Sequence, residues 1–370
     1  MPEFVSNDQL LKNRQSSVGG GAIGVGFKIL GHSFEEIIST ENLLKSWREF
    51  LKGKRKREDV QVFALNLMDN ILNLHEDLVN HTYNHGPYQA FRINDPKSRQ
   101  IHKSSVQDRL LHHAVHRILY PFFDRKFIFD SYSCRLDKGT HRAINRFRSF
   151  AYKASRNHTK TCWVLKCDIR KFFENINHDL LLSILQHRIS DRETMLLLEN
   201  IIRSFSSAPG RGLPLGNLTS QLLVNIYMNE FDNVIKHRFK IKYYIRYADD
   251  FVILSQDKEW LEELLPKIGD FLLDKLRLEL HPDKIFIKTF ASGVDFLGWV
   301  HFLDHRVLRT TTKRRMIKRI QERKENKATL QSYRGLLRHG NARKLQKFIY
   351  KSFLNSSSVK PASRIIPFNV

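Results

Sequence analysis

Two adjacent aspartates, Asp249 and Asp250, lie between two apolar runs of the kind that forms β-strands. The first run is YYIR and the second is FVIL, so the pattern predicts a β-hairpin with both carboxylates at its tip. Neighbouring carboxylates repel each other unless water or a cation neutralises them, and Mg²⁺ prefers such oxygen ligands. Taken alone, the pattern fits an acidic surface turn better than a metal site.

A third aspartate changes that balance. Asp168 ends the apolar run WVLKCD and is followed at once by the segment IRKFFENINHDLLLSIL. An aspartate at the end of a strand that leads into a helix is expected to lie beside the hairpin tip. Three carboxylates on two adjacent strands are enough to hold two metal ions. Two such ions suffice for in-line displacement at phosphorus, because one activates the attacking oxygen and the other stabilises the leaving oxygen.

The chain is strongly basic, which indicates an anionic partner. Its 370 residues include 62 Lys and Arg against 38 Asp and Glu, a net charge of +24. Nucleic acid is the first partner expected for such a charge, and a membrane surface is the second. Half of the excess lies between His301 and Tyr350, where 15 basic residues accompany three acidic ones. The apolar positions of this segment keep helical spacing, which predicts a basic helical module that contacts a nucleic-acid backbone.

Several classes of protein are excluded by what the sequence lacks. No apolar run approaches the 18 residues of a membrane-spanning helix, and the start MPEFVSNDQLLKNRQ lacks the layout of a signal peptide. The cysteines Cys134, Cys162 and Cys167 form no CxxC pair, so neither a disulfide framework nor a zinc site is predicted. We therefore predict a reduced, cytoplasmic protein with no membrane partner.

Strands and helices are mixed without regular βαβ alternation, which predicts an α+β fold. Residues 1–35 are weakly patterned and are expected to form a flexible arm, whereas residues 36–85 are expected to be helical. The pattern is extended from Pro87 to Ile101 and helical from Val106 to Leu119. A capping box that begins at Ser190 predicts a further helix that ends near Ser204. Further strands are predicted in the segments CWVLKCDI, KIFIKTF and DFLGWVHF.

From about residue 95 to residue 300, the chain resembles the reverse transcriptases. DIRKFF resembles their first metal motif, GLPLGNLTSQ the template-nucleotide loop and helix, and YADD the second metal motif. LELHPDKIFIK resembles the lysine-bearing motif that follows, and DFLGW the primer grip. The segment from DPKSRQIHKSS to KGTHRA resembles the fingers region of bacterial, group II-like members. The resemblance implies a right-hand polymerase, with fingers and an antiparallel palm sheet over residues 86–300 and a basic helical thumb over residues 301–370.

The sequence of the template loop indicates which subfamily the chain resembles. Intron-encoded members generally carry QGxxxSP, whereas here Leu215 replaces the Gln and Gln221 replaces the Pro. This variant resembles the enzymes of diversity-generating retroelements, which copy a template-repeat RNA with errors at adenines and rewrite a variable gene by mutagenic retrohoming. It implies a bacterial, archaeal or phage-encoded protein that works with a ring-forming accessory variability protein. A compact group II intron-like or defence-associated reverse transcriptase is the alternative.

The resemblance also implies roles for single residues of the catalytic centre. Asp168, Asp249 and Asp250 would bind two Mg²⁺ ions, for which Mn²⁺ can substitute, and the backbone carbonyl of Ile169 would face one of them. Lys284 would donate a proton to the pyrophosphate leaving group. A solvated lysine with no catalytic role is the alternative for Lys284.

Further roles concern the substrates. The residues expected at the incoming nucleotide and the nascent base pair are Lys97, Arg99, Phe173, Leu215, Gly216 and Gln221. Among these, Phe173 falls at the position that excludes a ribose 2′-hydroxyl, although a core position is its alternative. The primer end would contact Phe296, Leu297, Gly298 and Trp299. The template–primer backbone would contact Lys313, Arg314, Arg315 and Arg319.

These features predict an RNA-directed DNA polymerase whose partners are template RNA, a DNA or RNA primer, and dNTPs. A non-catalytic RNA-binding protein on the same scaffold is one alternative, but a decayed scaffold would be expected to lose a metal carboxylate, and all three are present. An RNA-directed RNA polymerase is another alternative. Phe173 and the group II-like fingers argue against it.

Overall fold

The computed structural model describes residues 30–94, 98–322 and 326–357. Most of the predicted flexible arm therefore lies outside the described residues. The helical region that follows contains α1 (Phe34–Ile38), α2 (Thr40–Phe50), α3 (Glu58–Leu65) and α4 (Leu67–Val79). Ser39 caps α2 by accepting a hydrogen bond from the backbone N–H of Asn42. The buried face of α2, with Leu43, Trp47 and Phe50, belongs to the main hydrophobic core.

An exposed hairpin and a long helix come next. Strands β1 (Gln89–Ile93) and β2 (Arg99–Lys103) pair antiparallel, and α5 (Val106–Asp124) follows. The side chain of Ser105 caps α5, which confirms the predicted start of this helix. The helix ends five residues later than predicted because it continues through Pro121.

Four strands form the central antiparallel sheet in the order β4-β5-β3-β6. Their bounds are Trp163–Asp168 for β3, Tyr244–Tyr247 for β4, Asp250–Ser255 for β5 and Phe286–Thr289 for β6. Successive residues of a strand face opposite sides of the sheet, so Leu165 and Val164 enter different cores. Both faces of the sheet are therefore covered by packed side chains, which accounts for the apolar runs in these strands.

Helices cover both faces of this sheet. They are α6 (Thr140–Ala154), α7 (His178–Gln186), α8 (Arg192–Arg203), α9 (Leu218–Asn233) and α10 (Lys258–Leu276). The capping-box prediction for α8 was wrong by one residue, because Asp191 rather than Ser190 caps the helix. The Asp191 carboxylate accepts from the N–H of Thr194 and also from the N–H of Phe34. None of the helices in the described ranges has both the length and the apolar character needed to cross a bilayer.

A smaller sheet joins the central sheet to the last helices. It contains β7 (Val294–Phe296), β8 (Trp299–His301) and β9 (Arg306–Leu308), and it is followed by α11 (Thr310–Glu322), α12 (Lys327–Leu337) and α13 (Arg343–Ser357). Leu297 and Gly298 form the two-residue turn between β7 and β8, with φ values of 50° and 86°. The last helices contact this sheet closely, since a Cβ atom on Gly340 would lie 2.0 Å from Trp299 Cζ3.

Candidate active site

The strand register brings the three predicted carboxylates to one end of the central sheet. Asp168, at the end of β3, is directly paired with Asp250, the first residue of β5. Tyr247 pairs with Asp250 across the hairpin, which leaves Ala248 and Asp249 as its two-residue turn. Ala248 has a φ of 56°, in the left-handed region. The hairpin prediction is confirmed, although Asp250 lies at the start of a strand rather than in the turn.

Two lysines contact the carboxylates. Lys284 Nζ lies 2.7 Å from Asp168 Oδ1, and Lys166 Nζ lies 3.3 Å from Asp250 Oδ2. Lys166 precedes Asp168 by two residues on β3, so both side chains point to the same side of the sheet. The Lys166 and Asp250 side chains are only 12% and 18% exposed, so water screens this ion pair weakly.

Burial makes the carboxylates of Asp249 and Asp250 hard to ionise. Burial and the nearby Asp168 carboxylate raise the pKa of Asp249. Burial raises the pKa of Asp250 to about 7, although Lys166 acts in the opposite direction. Within the described part of the chain, Asp250 Oδ1 is also buried without a hydrogen-bond partner. An unpaired buried carboxylate oxygen is costly, and a cation would relieve that cost.

The described ranges contain no group of three or more His, Cys, Asp or Glu side chains already arranged to hold a metal ion. The two lysines instead occupy oxygens of Asp168 and Asp250. The donor set nevertheless fits a hard divalent cation, because it offers carboxylate oxygens, one of them buried and unpaired.

The β1–β2 hairpin meets the predicted template loop, GLPLGNLTSQ, near these carboxylates. Arg99 of β2 lies close enough to Asp249 to favour its ionised form, whereas Lys97 lies outside the described residues. The N–H of His102 donates to the backbone oxygen of Leu215 at 3.0 Å, which joins β2 to the loop. Gly216 has a φ of 115°, and a Cβ atom there would lie 2.9 Å from Ile101 Cγ2. This position therefore requires glycine.

Two adjacent phenylalanines follow Asp168 in a short 3₁₀ segment and have different environments. Phe172 is buried in the main core, whereas Phe173 is half-buried. The backbone oxygen of Phe173 accepts from the N–H of Leu213 at 2.8 Å, which places Phe173 beside the start of the template loop. Gln221, on the first turn of α9 after that loop, is also half-buried.

The predicted primer-contact residues divide into two pairs. Phe296 and Trp299 are 0% and 1% exposed and belong to the core beneath the small sheet. Leu297 and Gly298 form the half-buried turn between them. Ile169, predicted at the metal, is buried as well, and its N–H donates to the backbone oxygen of Asp249 at 3.1 Å.

The four basic residues predicted to contact nucleic acid all lie on α11. Lys313 and Arg314 are exposed, whereas Arg315 and Arg319 are half-buried. The opposite side of the helix, with Met316 and Ile320, is buried. The amphipathic pattern read from the sequence is therefore confirmed for α11.

Two charged residues of the site were not predicted, Lys166 and Arg246. The sequence offers one signal for both, a charged residue within an apolar strand. Lys166 lies two residues before Asp168, and Arg246 lies two residues after the buried Tyr244. Arg246 is 0% exposed and pairs with Asp232 of α9, with Nη2 lying 2.7 Å from Asp232 Oδ2. The sequence pattern alone does not name either partner.

The sequence is similar to a bacterial protein and to proteins encoded in introns. It is 27% identical to Protein YkfC of Escherichia coli over 269 residues, which are 61% of this chain and 68% of YkfC. It is 24% identical to the group II intron-encoded protein LtrA of Lactococcus lactis over 321 residues, with 67% of this chain and 51% of LtrA covered. It is 22% identical to the putative COX1/OXI3 intron 2 protein of Saccharomyces cerevisiae, with 56% of this chain and 31% of that protein covered.

The chain thus spans about two thirds of YkfC, half of LtrA and a third of the yeast intron protein. The family profile described as reverse transcriptase (RNA-dependent DNA polymerase) matches residues 92–301, more than half of the chain. The match covers the central sheet and most of the β1–β2 hairpin. The chain therefore belongs to the reverse transcriptase family of RNA-directed DNA polymerases and has the right-hand polymerase fold of that family.

Proposed function

We propose that this chain synthesises DNA on an RNA template by two-metal phosphoryl transfer. The observation that carries the proposal is the direct pairing of Asp168 with Asp250 beside the Asp249 turn. Register fixes three carboxylates at one end of a sheet whose faces are otherwise packed with apolar side chains. Such a concentration of buried negative charge destabilises the fold, and bound metal ions would offset that cost.

Asp168, Asp249 and Asp250 would hold two Mg²⁺ ions, with the backbone of Ile169 alongside. When bound, such ions lower the pKa of the attacking 3′-hydroxyl and stabilise charge on the leaving pyrophosphate. The unpaired Oδ1 of Asp250 supports this assignment, because a buried carboxylate oxygen without a donor is available as a ligand. The ion pairs of Lys166 and Lys284 would have to rearrange as the carboxylates become ligands.

The remaining residues would position the nucleotide and control its protons. Arg99 has the charge to bind the triphosphate, and its influence on Asp249 supports a place beside the metal centre. Lys284 would leave Asp168 and protonate the leaving oxygen. Phe173, half-buried next to the template loop, would oppose a ribose 2′-hydroxyl by its bulk. Fingers and palm over residues 86–300 and a thumb over residues 301–370 remain the proposed division of the chain.

We further propose that the chain is the error-prone enzyme of a diversity-generating retroelement, acting with a ring-forming accessory protein. The support is the LPLGNLTSQ loop, in which Leu215 replaces a polar residue. A compact group II intron-like enzyme is the second candidate, and the similarity to LtrA favours it. Sequencing of cDNA copied from one RNA distinguishes the two, because only the first predicts errors concentrated opposite template adenines.

Primer extension on an RNA template tests the proposed activity. Purified protein, template RNA, an annealed DNA primer and Mg²⁺ are incubated with dNTPs in one reaction and with NTPs in another. We expect extension with dNTPs alone. Extension with NTPs would favour an RNA polymerase, and RNA binding without extension by either set would favour a non-catalytic RNA-binding protein.

A further inference from the structure

Arg246 is a fully buried guanidinium whose five N–H groups all have acceptors. Its Nε and Nη2 donate to the two carboxylate oxygens of Asp232 at 2.8 and 2.7 Å. Nη2 also donates to Ser131 Oγ at 3.1 Å, and Nη1 donates to Asn225 Oδ1 at 3.3 Å. The fifth bond runs from Nη1 to the backbone oxygen of Ala248 at 3.2 Å.

That fifth bond reaches the catalytic turn. Ala248 lies in the left-handed region, which a non-glycine residue adopts only when its surroundings stabilise it. The next carbonyl, that of Asp249, accepts from the N–H of Ile169. Two consecutive carbonyls of the turn are therefore held from two sides, one by Arg246 and one by the residue that follows Asp168.

The other bonds of Arg246 hold it in place. Asp232 and Asn225 belong to α9, and Tyr244 of β4 donates a further bond to Asp232 Oδ1 at 2.7 Å. Ser131 belongs to the loop before α6, which also pairs with β4, because the N–H of Arg246 donates to the backbone oxygen of Asp130. Residues of α9, of β4 and of the loop before α6 thus converge on one side chain, which in turn binds the turn carbonyl of Ala248.

A buried ion pair contributes little net stability, because desolvation of the charges offsets their attraction. We therefore attribute to Arg246 a role in positioning rather than in stability. Its planar guanidinium binds the Asp232 carboxylate along one edge and the Ala248 carbonyl along another. A lysine ammonium could retain Asp232 but could not also span to Ser131, Asn225 and Ala248.

We propose that Arg246 is a positioning residue for DNA synthesis: its fork, held by Asp232, fixes the Ala248 carbonyl and thereby the orientation of the Asp249 and Asp250 carboxylates. The proposal rests on the proposed polymerase function. It adds a requirement that the metal motif does not contain, namely a buried guanidinium behind the turn.

The test is Arg246→Lys in the full chain, compared with Arg135→Lys. Arg135 is a matched control, because its side chain is 5% exposed and its fork binds the Asp124 carboxylate and three backbone carbonyls without touching the turn. Single-turnover kinetics with dNTPs report the rate per active site, and steady-state titration reports the KM for template–primer. Mn²⁺ binding, measured by electron paramagnetic resonance, gives a readout that does not depend on activity.

We expect Arg246→Lys to lower the rate and weaken Mn²⁺ binding by about tenfold or more, since loss of a group that orients metal ligands has effects of that size. The KM for template–primer should stay within about twofold, and Arg135→Lys should lose comparable thermal stability without the rate defect. The proposal would be overturned if Arg246→Lys and Arg135→Lys had the same rate per active site, or if both weakened Mn²⁺ binding equally.

Two further results separate the possible failures. If Arg246→Lys does not fold, Ser131→Ala decides, because it removes one neutral acceptor of the fork; a several-fold lower rate supports the proposal, and an unchanged rate overturns it. If the wild-type chain shows no synthesis, the polymerase proposal fails by itself. Mn²⁺ binding then still tests whether Arg246 orients the carboxylates.

Discussion

Asp168 and Asp250 face each other as a directly paired couple across β3 and β5. Lys166 shares their side of the sheet and reaches Asp250 diagonally. Since side chains alternate along a strand, a shift of one residue in this register would move Asp250 to the opposite face. The register of two short strands therefore determines whether the proposed metal-binding carboxylates lie together.

The first prediction concerns the proposed metal ligands. Asp249→Asn should lower DNA synthesis on an RNA template at least about a hundredfold, because metal stabilisation of the transition state amounts to several kcal/mol. RNA binding, measured by filter retention, should stay nearly normal. Asp274→Asn on the exposed side of α10 is the control and should behave as wild type. Near-normal extension by Asp249→Asn would contradict the ligand assignment.

The second prediction concerns the basic face of α11. Changing Lys313, Arg314, Arg315 and Arg319 together to Gln should weaken template–primer binding at every sequence. The slope of log affinity against log salt should become shallower by roughly 0.7–0.9 for each phosphate that the variant no longer neutralises. Binding titrations at several salt concentrations measure this slope. Neutralising Lys267 and Lys275 of α10 provides a comparison, and an unchanged slope in the α11 variant would reduce its charges to a solvated face.

The third prediction concerns fidelity at the template loop. Leu215 has no side-chain hydrogen bond to offer the nascent pair, and one such bond contributes about 1 kcal/mol, a several-fold effect on discrimination. Leu215→Gln should therefore reduce misincorporation, most clearly opposite adenine. The measurement is deep sequencing of cDNA from both proteins on one RNA, with any required accessory protein present.

Two results would contradict either the diversity-generating assignment or the role of Leu215. If wild-type errors opposite adenine are no commoner than at other bases, the diversity-generating assignment loses its main support. If they are commoner but Leu215→Gln leaves them unchanged, the assignment survives and the role of Leu215 does not.

The fourth prediction compares two glycines. Gly216→Ala should impair synthesis, because its φ of 115° is strained for alanine and the new methyl group would meet Ile101 Cγ2 at 2.9 Å. Gly269→Ala, inside α10 with open space around it, should instead stabilise the chain by about 0.4–1 kcal/mol. Extension assays and thermal melting measure both. Full activity of Gly216→Ala would show that the loop does not need this close approach.

The fifth prediction concerns acid sensitivity. Burial lowers the pKa of His112 to about 3, so the folded chain keeps this ring neutral where the unfolded chain protonates it. Its contribution to stability is therefore complete above about pH 6.5 and is lost as the pH falls, by about 2 kcal/mol at pH 5. Denaturation at pH 7 and pH 5 should show a smaller loss for His112→Gln than for wild type. The comparison cancels the other titrating groups, and equal losses would contradict the assignment.

The sequence predicted local structure well where one pattern dominates. The apolar runs around Asp168 and Asp250 gave β3, β4 and β5, and helical spacing gave α11, because alternation and periodicity are local properties. It missed β9, because one of the two buried positions of this short strand is Arg306 rather than an apolar residue. It also predicted a cap at Ser190, because Ser and Asp are both good N-caps and the local pattern does not choose between neighbouring positions.

The candidate site was predictable in its carboxylates but not in their partners. A motif identifies Asp168, Asp249 and Asp250, whereas the contact of Lys284 with Asp168 spans 116 positions. The buried fork of Arg246 likewise depends on three segments that only folding brings together. Burial of Phe296 and Trp299 was equally invisible, because a short aromatic motif does not reveal which of its members face a core.

The lysine contacts at the carboxylates give the site its own counter-ions. Because Lys284 neutralises Asp168 and Lys166 neutralises Asp250, the sheet can form without a bound metal ion. Folding and metal loading are then separable events, unlike the behaviour of small domains that collapse only around their ion. Under the proposed function, Lys166 and Lys284 would have to release Asp250 and Asp168 before these carboxylates could hold a divalent ion. Protein treated with a chelator should therefore remain folded but inactive, and added Mg²⁺ should restore its activity.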